Sequence, residues 1–375
     1  MRITVKEVSD KKGLQDFVRF PHSIYRQHPC YIPPLQRDEM ITLRRDKNPA
    51  FDYCDARYWL AYKDGKVVGR IAGIINQAYI NKWGRRYIRF GWLDFENDEA
   101  IATALVKQVE DWGRSLYMEA VHGPLGFTDL DHEGLLVEGF DEPGTIAALY
   151  NHSYYPPLLE KAGYQKDTDW LEYLIQLPTV MDNRLQKLAK IVQQRQNLQV
   201  VPLRKTKDVL PYVSAIFDLL NATYADLYGV VPLSPKQIRY YTKQYFSFIH
   251  PEFVSLITDK EGKLAAFSIT MPSLSNALKK ANGKLFPLGF WHLLKALRKN
   301  NKADLLLIAV RKDLQGKGVN ALLMHETLKS YIKNGITVAE ASHQLEDNKQ
   351  VQAMWEYFDA RIHKRRRCYI KYLNK

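Results

Sequence analysis

Two stretches far apart in the chain read alike, and that duplication constrains the fold more than any other feature. "YWLAYKDGKVVGRIAGIIN" (58–76) and "FVSLITDKEGKLAAFSITM" (253–271) are each two strand-like runs around a charged turn containing glycine. The turns "KDGK" and "DKEGK" supply the residues that hairpins require. Each hairpin is preceded by a short strand ("RITVKEV", "LQVVPL") and a long, aromatic-rich, helix-prone stretch. Each is followed by another strand and an amphipathic helix, around "DEAIATALVKQVEDWGRSL" in the first half and "VNALLMHETLKSYIKNG" in the second. Both halves close with a strand, a helix and a β-rich tail (163–177 and 360–373). A repeat on this scale predicts one supersecondary plan used twice.

The length of 375 residues also exceeds one ordinary core, which favours two domains. The expected division is 1–179, an exposed helical linker over 180–197 beginning just after Pro178, and 198–375. The fold class is α+β, a mixed sheet with helices, present in tandem. The second half carries an insertion, "PSLSNALKKANGKLFPLGFWHLLKALRKNN". Its Phe290, Trp291, Leu293, Leu294 and Leu297 predict an amphipathic helix covering an apolar face of its own domain, with a lid or a dimer contact as the alternative.

Composition bounds the function. With 46% hydrophobic and 25% charged residues the chain is a folded protein, not a disordered one. No run of eighteen apolar residues is present, so no spanning segment and no membrane partner are expected. "MRITVKEVSDKKG" lacks the apolar core of a signal peptide, which predicts a cytoplasmic protein. Cys30, Cys54 and Cys368 are odd in number and in no metal-ligand spacing, so they read as free thiols, and no metal is expected. The net charge of +13 is dispersed; its one dense run, His363 to Arg367, reads as a solvated hairpin, with RNA as the alternative.

The chemistry concentrates at 305–328. Leu305 to Val310 is apolar throughout, as in a strand covered on both faces. A helix follows with Met324, Leu328, Tyr331 and Ile332 on one buried face. Between them lies "RKDLQGKGVN" (311–320), whose glycines let backbone N–H groups converge at a helix N-terminus, an arrangement suited to an anion. Arg311, Lys312 and Lys317 add positive charge. The loop lacks the Gly-Lys-Ser/Thr of a Walker loop, and Ala321 stands where a dinucleotide fingerprint needs its last glycine.

Strand, "QGKGVN" and helix together resemble the pyrophosphate loop of the GCN5-related N-acetyltransferase (GNAT) superfamily, Gln/Arg-x-x-Gly-x-Gly/Ala. Gln315 and Gly318 match; Asn320 departs from the last position. "NKQVQAMWEYFDA" (348–360) is similar to the family's second signature helix, with Asn348 and Glu356 in place and Trp355 where the family has Tyr. The resemblance covers most of 198–375. In the first half "YPPLLEKAGY" (155–164) keeps part of that segment, but "GWLDFENDEA" replaces the loop with four carboxylates, which would repel a pyrophosphate.

The resemblance implies an N-acetyltransferase that uses acetyl-CoA or another acyl-CoA as co-substrate and a small-molecule or peptide amine as acceptor. The backbone of Ile308, Ala309 and Val310 would pair with the pantetheine arm. The amides of Gln315, Gly316, Lys317, Gly318, Val319 and Asn320 would hold the pyrophosphate, with Asn348 near the thioester. Glu340 is the candidate base, because strand alternation puts Val338, Glu340 and Ser342 on one face. Glu346 is a second candidate. For the acid, Trp355 donates no proton usefully, and Tyr357 stands two residues on, about 200° round a helix. "GFTDLDHEGLLVEGFDEPG" and "YNHSYY" (150–155) are candidate acceptor-site loops. "DLDHEG" (129–134) copies the start of a calcium loop but has Phe140 at the twelfth position in place of Glu. His325, on the helix, reads as a surface or packing residue, not a catalytic one. Alternative readings are a Fem-type aminoacyltransferase using aminoacyl-tRNA, with nucleic acid then a partner, and a non-catalytic acyl-CoA-binding protein.

Overall fold

Both glycine turns close the hairpins that the sequence predicts. In the first, β2 (Cys54–Lys63) and β3 (Lys66–Asn76) pair antiparallel from Cys54↔Asn76 to Lys63↔Lys66. The two residues between them, Asp64 and Gly65, have φ of 51° and 77°, which gives the turn a backbone twist that matches the strands. In the second, β9 (Val254–Thr258) and β10 (Leu264–Pro272) are joined by a longer loop. There the Asp259 carboxylate accepts from the backbone N–H groups of Glu261 and Lys263, both at 3.0 Å.

The computed structural model describes residues 2–148, 150–245 and 248–373, and the side chain of Ser342 lies outside that description. The chain forms two units that are not continuous in sequence. The first holds residues 1–171, 275–293 and 363–375; the second holds 172–274 and 294–362.

The first unit begins with β1 (Ile3–Glu7), α1 (Lys11–Ile24) and α2 (Gln36–Thr42) ahead of the hairpin. After it come α3 (Gln77–Trp83), β4 (Tyr87–Phe95), α4 (Glu99–Ser115), β5 (Ala120–Gly123), β6 (Leu135–Glu138), α5 (Tyr155–Lys161) and β7 (Gln165–Gln176), which leaves the unit at residue 171. Its strands lie in the order β1-β2-β3-β4-β5 and end on β13 (Asp359–Tyr372), which also pairs with β6. Helix α4 turns Ile101, Leu105, Val106, Val109 and Trp112 onto the sheet at helical spacing. Full burial of each such side chain is worth about 1.5–3 kcal/mol.

The second unit contains α6 (Asn183–Arg195), β8 (Gln199–Val200), α7 (Val213–Thr223), α8 (Pro235–Tyr245) and the second hairpin. The insertion then forms α9 (Ser275–Ala281), which belongs to the first unit, and α10 (Gly289–Arg298), which passes from the first unit into the second at residue 294; the second unit continues with β11 (Lys302–Val310), α11 (Val319–Lys333), β12 (Val338–Leu345) and α12 (Lys349–Gln352). Its strand order is β8-β9-β10-β11-β12. The stretch read as a linker is indeed helical, but α6 buries Ala189 and Val192 against Val319, Leu322 and Leu323 of α11, in one core with Ile257 and Val310.

Several sequence expectations are corrected. The buried face of α11 is Val319, Leu322, Leu323, Thr327, Leu328 and Tyr331, while Met324 and Ile332 are half-buried. The signature helix expected over 348–360 stops at Gln352; Trp355–Tyr357 is a single tight turn and β13 starts at Asp359. In the insertion, Ala277, Leu278, Ala281 and Leu293 are buried, but Phe290 and Trp291 face solvent instead of covering a domain face. The basic run is not a solvated hairpin: His363, Lys364 and Arg366 are buried, and Lys364 donates to the Pro143 carbonyl at 3.0 Å. Arg367 grips Asp169 through two hydrogen bonds of 2.8 and 3.1 Å. Burial pushes the Asp169 carboxyl up, but Arg367 and Lys166 outweigh that and hold it below the usual range.

Candidate active site

The edge of β11 is where the second unit opens. Among the described residues β11 and β12 pair in parallel from Lys302↔Val338 to Leu305↔Ala341, with no pair beyond them. On the other side of β11, pairing with β10 passes from Thr270↔Leu305 to Ile269↔Leu307, so Leu306 is the extra residue of a bulge. The expectation that this apolar strand is covered on both faces fails at this point. Leu306 is 36% exposed, and Leu305, Leu307 and Ile308 are half-buried. An apolar strand left part-uncovered beside a divergence of parallel strands is a groove for an extended, partly apolar ligand.

At the end of the groove the loop turns into α11. Arg311 is paired with Asp259 at 2.8 Å and Asp313 at 2.7 Å, and Lys312 with Asp226 at 3.1 Å. Of the three cations expected at the loop, only Lys317 lacks an ion-pair partner among the described residues. The Gln315 side chain turns back to donate to the Val310 carbonyl at 2.9 Å. Gly316 and Gly318 have φ of 73° and 81°. Gly318 is the residue before α11, and no side chain caps that helix; the Gly318 carbonyl accepts from the Ala321 N–H at 2.9 Å, which leaves Val319 and Asn320 as the first-turn N–H groups without an intrahelical acceptor. A Cβ on Gly318 would lie 3.0 Å from Val192, so backbone and packing both call for glycine. Asn320 is exposed, its side chain turned away from the core.

Sequence reasoning missed Tyr224, at the end of α7. Its hydroxyl donates to the Ile308 carbonyl at 2.9 Å and lies 3.5 Å from the Ile308 N–H, at the backbone groups expected to meet the pantetheine arm. No motif marks it, because it reaches the groove from an element 84 residues upstream.

The other predicted residues are differently placed. Glu340, the candidate base, is fully buried and ion-paired with Lys302 on the neighbouring strand. Asn348 caps α12, accepting from the Val351 N–H at 3.3 Å. Trp355 is buried, its indole N–H bonded to the Gln344 side chain at 2.8 Å. Tyr357 is 87% exposed and sits in a tight turn, where two residues separate side chains by about 240°. His325 is half-buried against Glu326.

The same features of the first unit are closed. β4 and β5 also pair in parallel only briefly, from Tyr87↔Ala120 to Arg89↔His122. The chain itself then fills the gap: the Leu125 N–H donates to the Phe90 carbonyl at 2.8 Å, and the Leu125 carbonyl lies 2.6 Å from where a Cβ on Gly91 would stand. Asp98 caps α4 through the Ala100 N–H and pairs with Lys63 at 2.9 Å, occupying the helix start with a carboxylate.

"DLDHEG" lies in this unit as a part-buried loop. Burial pushes the Asp129 carboxyl up to about 7. It pushes Asp131 to about 6 against hydrogen bonds from the Thr128 and Phe127 N–H groups. Burial and the neighbouring Asp129 raise Glu133 well above the usual range. Asp131 spends its carboxylate on its own loop, unlike a calcium ligand.

No protein-family model matches the chain. Among solved structures, a tandem GNAT protein from the clavulanic acid biosynthesis pathway matches 100% of this chain and 99% of its own, with a TM-score of 0.59 at 11% identity. A GCN5-related glucosamine N-acetyltransferase region of a fungal multi-domain enzyme matches 99% of this chain and 38% of its own, with a TM-score of 0.57 at 9% identity. The chain therefore has the GNAT fold in tandem. Two curated proteins resemble it over nearly their full length. "Protein YghO" of Escherichia coli (strain K12) is 28% identical over 376 residues, covering 98% of this chain and 95% of that protein. "Bacterial ceramide synthase" of Caulobacter vibrioides (strain NA1000 / CB15N) is 27% identical over 385 residues, covering 99% and 98%.

Proposed function

We propose that this chain is an acyl-CoA-dependent N-acyltransferase whose donor is held by the second unit. One observation carries this reading: an apolar, part-exposed strand edge leads from the β11–β12 divergence directly to a glycine loop and an uncapped helix start. The edge of Ile308, Ala309 and Val310 suits a pantetheine arm. The N–H groups of residues 315–320, with Lys317, suit a pyrophosphate. Asn348 can meet the ligand only by giving up its cap.

Acylation of an amine requires loss of one ammonium proton and delivery of one proton to the departing thiolate. Tyr224 takes the second role better than Tyr357, because its hydroxyl is already at the strand edge. Glu340 accepts the first proton only if Lys302 moves off it, which makes the Lys302–Glu340 pair a gate on that role. The acceptor is an amine. The name of the Caulobacter relative, a ceramide synthase, favours a long-chain amino alcohol, since a ceramide is the amide of one.

Titration calorimetry with acetyl-CoA and a long-chain acyl-CoA tests the donor site; Gly318→Asp should abolish binding while the protein still melts cooperatively. Thiol release in the presence of a long-chain amino alcohol tests the transfer. A second reading, a non-catalytic acyl-CoA-binding protein, draws on the burial of Trp355 and the occupation of Glu340. Binding without thiol release across an amine panel would favour it.

A further inference from the structure

Residues 279–291 of the first unit carry a pattern that acyl transfer does not use. After α9 the chain turns through Asn282 and Gly283, with φ of 47° and 71°, and the Gly283 carbonyl accepts from the Gln36 N–H at 3.1 Å. From Lys284 to Gly289 it forms a closed tip. The Phe290 N–H donates to the Leu285 carbonyl at 2.7 Å, and a Cβ on Gly289 would stand only 2.0 Å from the Lys284 carbonyl. The two ends of the tip touch, so "LFPL" projects between them. Phe286 is 74% exposed, Leu288 64%, Phe290 46% and Trp291 68%. Four large apolar side chains within six residues are a patch, not scattered exposure.

A strongly basic pocket of about 720 Å³ shares the same segment. Lys279 and Lys284 line it together with Arg19, Arg26, His22 and Tyr31, and no carboxylate lines it. Among the described residues Arg19, Arg26 and Lys284 have no ion-pair partner. The Tyr31 hydroxyl is buried there without a hydrogen-bond partner, and so is His22 Nδ1. The pocket is built for an anionic group, and the exposed apolar run of the tip starts at Phe286, two residues beyond Lys284. A free phosphate would account for the pocket but not for Phe286, Leu288 and Trp291 in water. A bilayer with anionic headgroups accounts for both, since aromatic residues favour the headgroup boundary and nearby lysines favour its negative surface.

We propose that the first unit docks peripherally on an anionic lipid bilayer, with the 285–291 tip in the headgroup boundary and the pocket cations on a lipid phosphate. No helix among the described residues is long and apolar enough to cross a membrane, so the contact is with the surface. It holds whichever amine is the acceptor.

Co-sedimentation of the full chain with vesicles tests this in the absence of acyl donor and amine, so its failure leaves the acyltransferase reading standing. The chain should bind phosphatidylcholine vesicles containing phosphatidylglycerol at least ~10-fold more strongly than phosphatidylcholine alone. The triple variant Phe286→Ser, Leu288→Ser, Trp291→Ser should bind them ~10-fold more weakly. Lys279→Glu with Lys284→Glu should erase the phosphatidylglycerol preference. All five side chains are exposed, so both variants should melt like the wild type. Wild-type protein left in the supernatant overturns the proposal. So does a triple variant that binds like the wild type, which would reduce the effect to general basic adhesion. Stabilisation by inorganic phosphate that Lys284→Glu removes, without vesicle binding, would assign the pocket to a soluble anion instead. A dimer in sedimentation velocity that the triple variant dissociates, again without vesicle binding, would assign the tip to a second copy.

Discussion

Single residues decide how this GNAT fold departs from its expected chemistry. Trp355 replaces a tyrosine, but it is buried and bonded to Gln344, so restoring the phenol should not restore an acid. Trp355→Tyr is expected to leave the rate of thiol release within about twofold of wild type and to cost stability on the order of 1 kcal/mol through the lost indole bond. Tyr224→Phe should lower that rate and change acyl-CoA affinity little, which separates a proton donor from a binding contact; an unchanged rate would dismiss the role. Asp129 makes a prediction about pH. Burial pushes its carboxyl up to about 7, well above the ordinary carboxylate value of 3.8, and so favours the protonated form. The stability this group contributes is whole below about pH 4 and is lost as pH rises through about 7. Asp129→Asn should therefore raise the melting temperature at pH 8, by an amount on the order of 1–3 kcal/mol in stability, and the gain should vanish towards pH 4. A gain that is equal at both pH values would mean that the carboxylate is not the cause.

At the scale of elements, much was legible because local rules and tertiary packing agree. Asp64-Gly65 between alternating strands can only be a tight hairpin, and Gly316 and Gly318 before an apolar-faced helix do form the left-handed entry that the loop motif demands. Legibility failed where long-range contacts decide. Lys302 neutralises Glu340 across a strand pair, Asp259 neutralises Arg311 from 52 residues upstream, and Leu125 fills the first unit's gap from a loop whose composition gives no sign of it. The signature helix ends at Gln352 because Trp355 turns into the core and β13 starts at Asp359. Helix α4 shows how an ordinary cap stands where its counterpart α11 has none. Asp98→Ala should cost about 0.5–2 kcal/mol in a denaturation series through loss of the cap, and it should create no acyl-CoA site, because Leu125 still occupies the strand gap.

The whole molecule is a duplicated plan with its parts redistributed along the chain. Residues 363–373 complete the sheet of the first unit, Tyr369↔Gly123 to Tyr372↔Ala120, with Cys368, Tyr369 and Ile370 buried. Removing 363–375 should leave β5 paired only with β4 and turn it into an open edge, and hydrogen exchange should show the first unit opening before the second. Equal protection in both units would show that the strand is dispensable. The order of synthesis gives this arrangement a further consequence. At about 5–20 residues per second, the chain takes on the order of half a minute to make. Through most of that time the earliest residues have no final strand to close their sheet, so the first unit to leave the ribosome is completed only by residues near position 370. A protein laid out this way spends its synthesis with an open β-edge, and it should depend on chaperones that shield nascent strands far more than a tandem whose halves close one after the other.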